Sequence, residues 1–129
     1  MMKRSMESIA LALVGAAAVN AAVADVVDIR WDSTGRFEHS QPIAAGKFAE
    51  VCAKLSKGQR VAWAFKSTQP TAFNVHFHEG KNAEFAAKVE GAKSADAVLE
   101  VAQDQDYCWM WSNKSGDSVN LTFSVQKQP

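Results

Sequence analysis

The sequence predicts an all-β fold, a small antiparallel β-sandwich of about 6–8 strands with one disulfide and one short helix. Apolar residues alternate with polar or small ones in several short runs, and this period of two is typical of half-buried strands. Turn-forming residues separate the runs at intervals of about ten residues, as in a sandwich of short strands. A chain of 129 residues has room for one such core, so we expect a single domain.

The clearest strand patterns begin at residue 61, and weaker ones precede and separate them. The predicted strands are 26–31, 48–54, 61–65, 73–77, 97–102, 107–111 and 119–125. Residues 67–70 predict a turn between two of them, and residues 113–117 predict a hairpin loop that begins at the turn residue Asn113. The Ala-rich stretch 82–89 predicts one or two helical turns, with Asn82 as the N-cap.

The first 24 residues have the order of a secretory signal peptide. Lys3 and Arg4 precede an apolar run over residues 9–19, and small residues at positions 22 and 24 predict cleavage after Ala24. The alternative is an uncut anchor, but the run is shorter than the roughly 20 residues that a membrane span requires. We therefore expect residues 25–129 to form one domain in the bacterial periplasm or outside the cell. We expect no stable membrane anchor, because no cysteine stands at the cleavage site.

The charge balance argues against a nucleic-acid partner. The chain has 14 basic and 14 acidic side chains, and removal of the signal peptide takes away only a few of them. Nucleic acids and anionic membranes are bound mainly by clustered positive charge. We expect neither as a partner.

Cys52 and Cys108 are the two cysteines of the chain. An even number of cysteines in an exported domain predicts one disulfide, and a bridge between distant positions would stabilise the fold by about 4 kcal/mol. A redox-active pair is the weaker alternative because a Cys-x-x-Cys spacing is missing, and thiolate metal binding is weaker because thiols oxidise outside the cytoplasm.

The order of cysteines and strands resembles that of the GOLD (Golgi-dynamics) domain. The residues that carry this resemblance lie within 48–126: Cys52, Lys57-Gly58, the strands 61–65 and 73–77, the run Tyr107-Cys108-Trp109-Met110-Trp111-Ser112-Asn113, and the last strand to Val125. In this family the second cysteine usually lies nearer to the Ser-Asn turn, where this chain has Met110. Cys108 stands two residues earlier and therefore on the same strand face. The resemblance implies a disulfide-bridged sandwich that binds proteins or cargo and does not catalyse a reaction.

His76 and His78 are two residues apart on a predicted strand, so both imidazoles should project from the same face. Such a pair can place two nitrogens on one Cu²⁺ or Zn²⁺ ion, with further ligands from His39, Glu79 or Met110. A nearby Met110 thioether would favour Cu⁺. Two other interpretations stay open, a polar pair on an outer face and a pH sensor.

The aromatic residues are interpreted mainly as sandwich core. Trp109 and Trp111 alternate with Met110, so their strand is either covered on both faces or presents an apolar surface to a partner. We therefore take Trp109, Trp111 and the N-terminal Trp31 as candidate partner contacts, with Trp31 the best single candidate.

Catalysis has little support in the sequence. No serine lies in a nucleophile-elbow motif, and no Gly-rich loop matches a phosphate or dinucleotide site. We expect a non-enzyme. Two functions remain open: an exported binding module that recognises a protein or envelope component or, as the alternative, a small periplasmic copper- or zinc-binding protein that uses the His-x-His strand.

Overall fold

The computed structural model describes residues 25–129, which form seven strands. In chain order they are β1 (Asp25–Asp28), β2 (Arg36–Ile43), β3 (Phe48–Leu55), β4 (Arg60–Glu79), β5 (Asn82–Glu100), β6 (Gln105–Ser112) and β7 (Val119–Lys127). The predicted all-β fold with one disulfide is confirmed. Within this range no helix is long and apolar enough to cross a membrane. The predicted signal peptide lies outside the described residues.

The long strand β4 divides the sheet into two halves. Its N-terminal part pairs with β7, and its C-terminal part pairs with β6. We call the strands β1, β3, β6 and the C-terminal part of β4 the first half-sheet, and β2, β7 and the N-terminal part of β4 the second half-sheet. β5 pairs with β4 along both parts. All strand neighbours are antiparallel except β1 and β3, which are parallel.

Aromatic side chains from the two half-sheets meet in the core. Phe65 of the second half-sheet lies with its ring centroid 4.6 Å from that of Phe73 in the first. Trp111 of β6 and Phe123 of β7 are in edge contact at 4.9 Å. Such tilted and edge contacts are the favoured geometries of buried aromatic pairs. The interior is therefore that of a sandwich.

Two predicted strands, 61–65 and 73–77, are parts of the single strand β4. The sequence predicts a turn at residues 67–70, but the chain does not reverse there. It bends and stays paired with β5 on both sides of the bend. The Ser67 hydroxyl donates to the carbonyl of Gln69 at 2.5 Å, and the pairing register with β5 shifts between Lys66 and Thr71. The turn residues therefore produce a bend within a strand.

The predicted helix over residues 82–89 is wrong, because this stretch is the first part of β5. Alanine favours a helix locally, but the second edge of β4 offers a row of backbone groups that β5 pairs with over most of its length. Tertiary hydrogen bonding thus overrides the local preference.

The loop at residues 113–117 is also not a hairpin loop, since β6 and β7 belong to different half-sheets and the loop crosses between them. β2 was not predicted from the sequence; it is a mostly polar strand that, among the described residues, pairs with β7 alone and tolerates Pro42 at this edge.

Asn113 holds this crossing loop in place, which confirms it as a turn residue. Its side chain is 1% exposed, and its Nδ2 donates to the carbonyls of Ile43 and Asp117 at 2.9 and 2.7 Å. Its Oδ1 accepts from the backbone N–H and the hydroxyl of Ser115. One buried amide therefore links the crossing loop to the end of β2.

We expect Asn113→Ala to lower the free energy of unfolding by about 2 kcal/mol, because it removes four side-chain hydrogen bonds, of which the one to the Ile43 carbonyl is buried. Urea unfolding of the oxidised protein measures the effect. Asn120→Ala, at an exposed position of β7, is the matched control and should change stability by less than about 0.5 kcal/mol. Equal losses in the two variants would contradict the assignment.

Asp32 organises the turn before β2. Its Oδ1 accepts from the Thr34 hydroxyl at 2.7 Å and from the backbone N–H groups of Thr34 and Arg36 at 2.8 and 3.0 Å. These hydrogen bonds, that of the Thr34 hydroxyl first, lower the pKa of Asp32 below its ordinary 3.8.

A carboxyl with a lowered folded-state pKa stabilises the fold above its unfolded pKa, and this contribution is lost as the pH falls through the folded value. We therefore expect Asp32→Asn to be less stable than the native protein at pH 7, with the difference shrinking below pH 3.8. NMR titration of the Asp32 carboxyl should give a midpoint below 3.8, and a midpoint above it would contradict this account.

Candidate functional site

His76 and His78 lie on the outer face of the first half-sheet, on the same side of β4 as predicted. Their ring centroids are 5.1 Å apart in an edge arrangement. The strand alternation that turns Phe73 and Val75 into the core turns these two rings outward. Both imidazole rings therefore lie on the outer face of the first half-sheet.

The two rings differ in their surroundings. The His76 side chain is 7% exposed although it lies on the outer face, whereas His78 is exposed. Nε2 of His76 lies 3.2 Å from Oε2 of Glu50, whose side chain is 16% exposed, and Nδ1 lies 2.7 Å from Oδ1 of Asn74. Both ring nitrogens thus have partners, and a largely buried carboxylate sits beside the imidazole.

The disulfide lies in the same row of residues. Cys52 of β3 and Cys108 of β6 are direct cross-strand neighbours with their Cα atoms 4.1 Å apart, and Cys108 is in turn opposite His76 of β4. The predicted pairing of the two cysteines is confirmed. In the next row Met110 lies between Glu50 and Asn74. We call these residues the outer-face cluster: Glu50, Cys52, Asn74, His76, Cys108 and Met110.

Three possible metal-ligand atoms of this cluster lie within 4.8 Å of one another, contributed by Glu50, His76 and Cys108. Sequence reasoning missed Glu50. Its only sequence signal is its position two residues before Cys52, which puts both side chains on one face of a strand. In the oxidised protein the Cys108 sulfur belongs to the disulfide and offers no thiolate.

Two of the predicted metal ligands lie elsewhere. His39 is on β2 of the second half-sheet, with its Nε2 2.8 Å from Oε1 of Gln41. Glu79 ends β4 and accepts a hydrogen bond from Nε2 of Gln103 at 2.7 Å. Neither belongs to the three-donor group. The structure therefore brings Met110 and Glu50 towards His76, but not His39.

Trp109 and Trp111 are not surface contacts, and this prediction is wrong. Both side chains are 0% exposed, because alternation along β6 directs them into the core opposite Val51 and Ala49 of β3. The alternative interpretation as core residues is confirmed. Trp31 is partly buried, and Nζ of Lys127 lies 4.7 Å from its ring centroid.

A second candidate site, which the sequence analysis did not identify, lies along β5. This strand pairs only with β4, so among the described residues its other edge has no strand neighbour. Phe85, Val89 and Val98 of β5 are 50%, 37% and 42% exposed. The Ala-rich composition that predicted a helix also leaves the faces of β5 with small side chains beside these exposed apolar residues.

A groove of about 350 Å³ opens between the two parts of β5. We call it the β5 groove; it is lined by Trp63, Val75, Ala86, Ala87, Ala97, Val98, Leu99 and Glu100. Trp63 and Val75 are core residues, so the groove reaches down to the sandwich interior. The small alanine side chains leave this space open.

The strands and core define the chain as a small β-sandwich domain. No family model matches it, and no curated protein matches its sequence.

Solved structures do share the fold. The Aeromonas hydrophila PliG, described as a periplasmic lysozyme inhibitor of g-type lysozyme, has a TM-score of 0.66 and 13% identity, over 81% of this chain and 97% of that chain. The pre-peptidase C-terminal domain of a Bacillus anthracis collagenase has a TM-score of 0.59 and 10% identity, over 84% and 100%. The Salmonella Typhimurium PliG has a TM-score of 0.52 and 12% identity, over 80% and 97%. At these identities the likeness establishes the fold alone.

We expect Glu50→Ala to lower the free energy of unfolding by about 2 kcal/mol, because it leaves the buried Nε2 of His76 without its partner. Glu38→Ala is the matched control. Glu38 bonds Arg36 at 2.6 Å, but these side chains are 65% and 40% exposed, so its loss should cost less than about 1 kcal/mol. Chemical denaturation compares the two variants, and an equal cost would show that the outer-face cluster contributes no more than a surface ion pair.

Proposed function

We propose that this chain is an exported, non-catalytic binding module that recognises another protein through β5. The observation that carries the proposal is the unpaired edge of β5 beside the β5 groove. A protein partner can use both features, because an extended segment has backbone groups for the edge and side chains for the groove.

The β5 edge offers backbone hydrogen bonds over an unusual length. β5 runs from Asn82 to Glu100, and an edge strand presents every second N–H and C=O group away from its neighbour. Exposed edges are normally shortened, covered, twisted by bulges or guarded by lysine and proline; β5 contains Lys88, Lys93 and register shifts in its pairing but no proline. Its length and its lack of proline favour strand addition.

The β5 groove lies next to that edge. Trp63 and Val75 lie at its base and are 6% and 1% exposed, and Ala87 and Ala97 of β5 line it beside them. Side chains inserted into such depressions contribute to the affinity of protein interfaces. A partner side chain inserted here would contact the alanine methyl groups and the exposed margin of Trp63.

The charges of β5 favour a partner with basic side chains. The strand has four acidic side chains, Glu84, Glu90, Asp96 and Glu100, and two basic ones, Lys88 and Lys93. Glu100 pairs with Arg60 of β4 at 3.7 Å, and the other three acidic side chains form no ion pair among the described residues. Nζ of Lys88 lies 4.8 Å from the Phe85 ring centroid. Complementary charge raises association rates and selects partners.

The disulfide and the descriptions of the structural neighbours support export and binding without catalysis. The Cys52–Cys108 bridge fits an oxidising compartment. Two of the structures that share this fold are described as periplasmic inhibitors of g-type lysozyme. We propose a g-type lysozyme as the partner. The GOLD resemblance also implies non-catalytic protein binding.

Copper or zinc binding by His76 and His78 is the second candidate function. The 5.1 Å separation of the two rings favours it. A metal on His76 would replace its contact with Glu50 or with Asn74, since both ring nitrogens are engaged.

Binding of purified g-type lysozyme to the oxidised protein, measured by isothermal titration calorimetry, tests the first proposal. Ala97→Arg fills the β5 groove from an exposed position and should weaken binding at least tenfold, which corresponds to about 1.4 kcal/mol.

Val26→Arg is the matched control, because Val26 is 55% exposed on β1 at the opposite side of the first half-sheet and should leave binding unchanged. Absence of binding by the native protein, or equal weakening by both variants, would contradict the proposal.

A further inference from the structure

We infer that reduction of the Cys52–Cys108 disulfide converts the outer-face cluster into a Zn²⁺ site with Cys52, Cys108, His76 and Glu50 as ligands. This site differs from the His-x-His hypothesis because its ligands come from three strands and include both sulfurs. It does not rest on the protein-binding function.

Strand pairing places the four side chains together. Cys52, Cys108 and His76 form one row across β3, β6 and β4, and Glu50 lies on the same face two residues from Cys52. Donor atoms of Glu50, His76 and Cys108 already lie within 4.8 Å of one another. Tetrahedral Zn²⁺ with bonds of about 2.0–2.3 Å requires donors roughly 3.5 Å apart. Side-chain adjustments, together with separation of the two sulfurs after reduction, would close the site.

The donor set matches Zn²⁺ chemically. Two thiolates, one imidazole and one carboxylate are ligands that this borderline-soft ion accepts in tetrahedral sites. A disulfide sulfur is a poor ligand, whereas a thiolate is a strong one. The oxidised form therefore lacks half of the set, and the redox state of the cysteines determines whether the site exists.

His76 has the second contact that a metal-bound histidine usually needs. Its Nδ1 lies 2.7 Å from Oδ1 of Asn74, and its Nε2 points to Glu50. Metal-bound histidines almost always use one nitrogen for the ion and donate the other N–H to an oxygen acceptor. Asn74 therefore acts as a positioning residue that leaves Nε2 to the metal.

The reduction step needs a dithiol, which supplies two electrons and two protons. The S–S bond breaks, two S–H groups form, and the dithiol becomes a disulfide. When Zn²⁺ binds, each of the two thiols releases its proton to solvent. A surface depression of about 320 Å³ beside the bridge, lined in part by Asp28, Lys54 and Asp106, gives the reductant access to the sulfurs.

The experiment compares the oxidised and the dithiol-reduced protein, with the reductant removed before titration. Zn²⁺ affinity is measured by competition with a chromophoric chelator, and Co²⁺ reports thiolate coordination through its charge-transfer absorption. We expect one Zn²⁺ per reduced chain, at least about 100-fold tighter than in the oxidised form. Cys52→Ser/Cys108→Ser should bind as weakly as the oxidised protein.

His76→Ala and Glu50→Gln should weaken Zn²⁺ binding by the reduced chain about 100-fold, and Asn74→Ala about tenfold. His39→Ala and Glu79→Gln are the matched controls, because these residues lie outside the three-donor group. They should leave the affinity unchanged.

Loss of the disulfide can unfold the chain, so tryptophan fluorescence of the buried core is recorded in every titration. Zn²⁺ should then restore the native spectrum, since metal binding and folding are coupled. Equal Zn²⁺ affinity of the oxidised and reduced forms would overturn the proposal. So would the absence of binding, or an equal effect of His39→Ala and His76→Ala, which is the behaviour of ligands in an unfolded chain.

Discussion

β4 runs without a break through its bend, and its continuity determines how the two half-sheets are arranged. Because one strand pairs with β7 before the bend and with β6 after it, the two half-sheets face each other. This arrangement presses Phe65 against Phe73 and builds the aromatic core. The outward face of the C-terminal part of β4 then presents His76, and its second edge pairs with β5. Core, outer-face cluster and β5 edge all follow from the same strand.

The two candidate sites differ in how they depend on this strand. The outer-face cluster uses residues from three strands, so its geometry requires the register in which Cys108 faces both Cys52 and His76. The β5 groove instead arises because Ala87 and Ala97 of β5 have small side chains and leave space beside Trp63. The outer-face cluster is fixed by a covalent bond, whereas the β5 groove is open and lies beside an unpaired edge.

Local patterns predicted part of this structure. Alternation in β6 and β7 indicated strands, and the cysteine count indicated the disulfide. The Ala-rich start of β5 indicated a helix, because the vacant edge of β4 that converts it to a strand is a tertiary feature. Glu50 was not recognisable for a similar reason, since its proximity to His76 arises from the pairing of β3, β6 and β4. His76 and His78 were predicted to share a face because strand period alone determines it.

We propose β5 as the surface that meets a protein partner. Hydrogen–deuterium exchange of the oxidised protein, free and saturated with g-type lysozyme, tests this proposal, because amides at an unpaired edge exchange readily and strand addition would bond them. We expect slower exchange in the complex along residues 82–100. Protection confined to β1 or β2, with exchange in β5 unchanged, would contradict it.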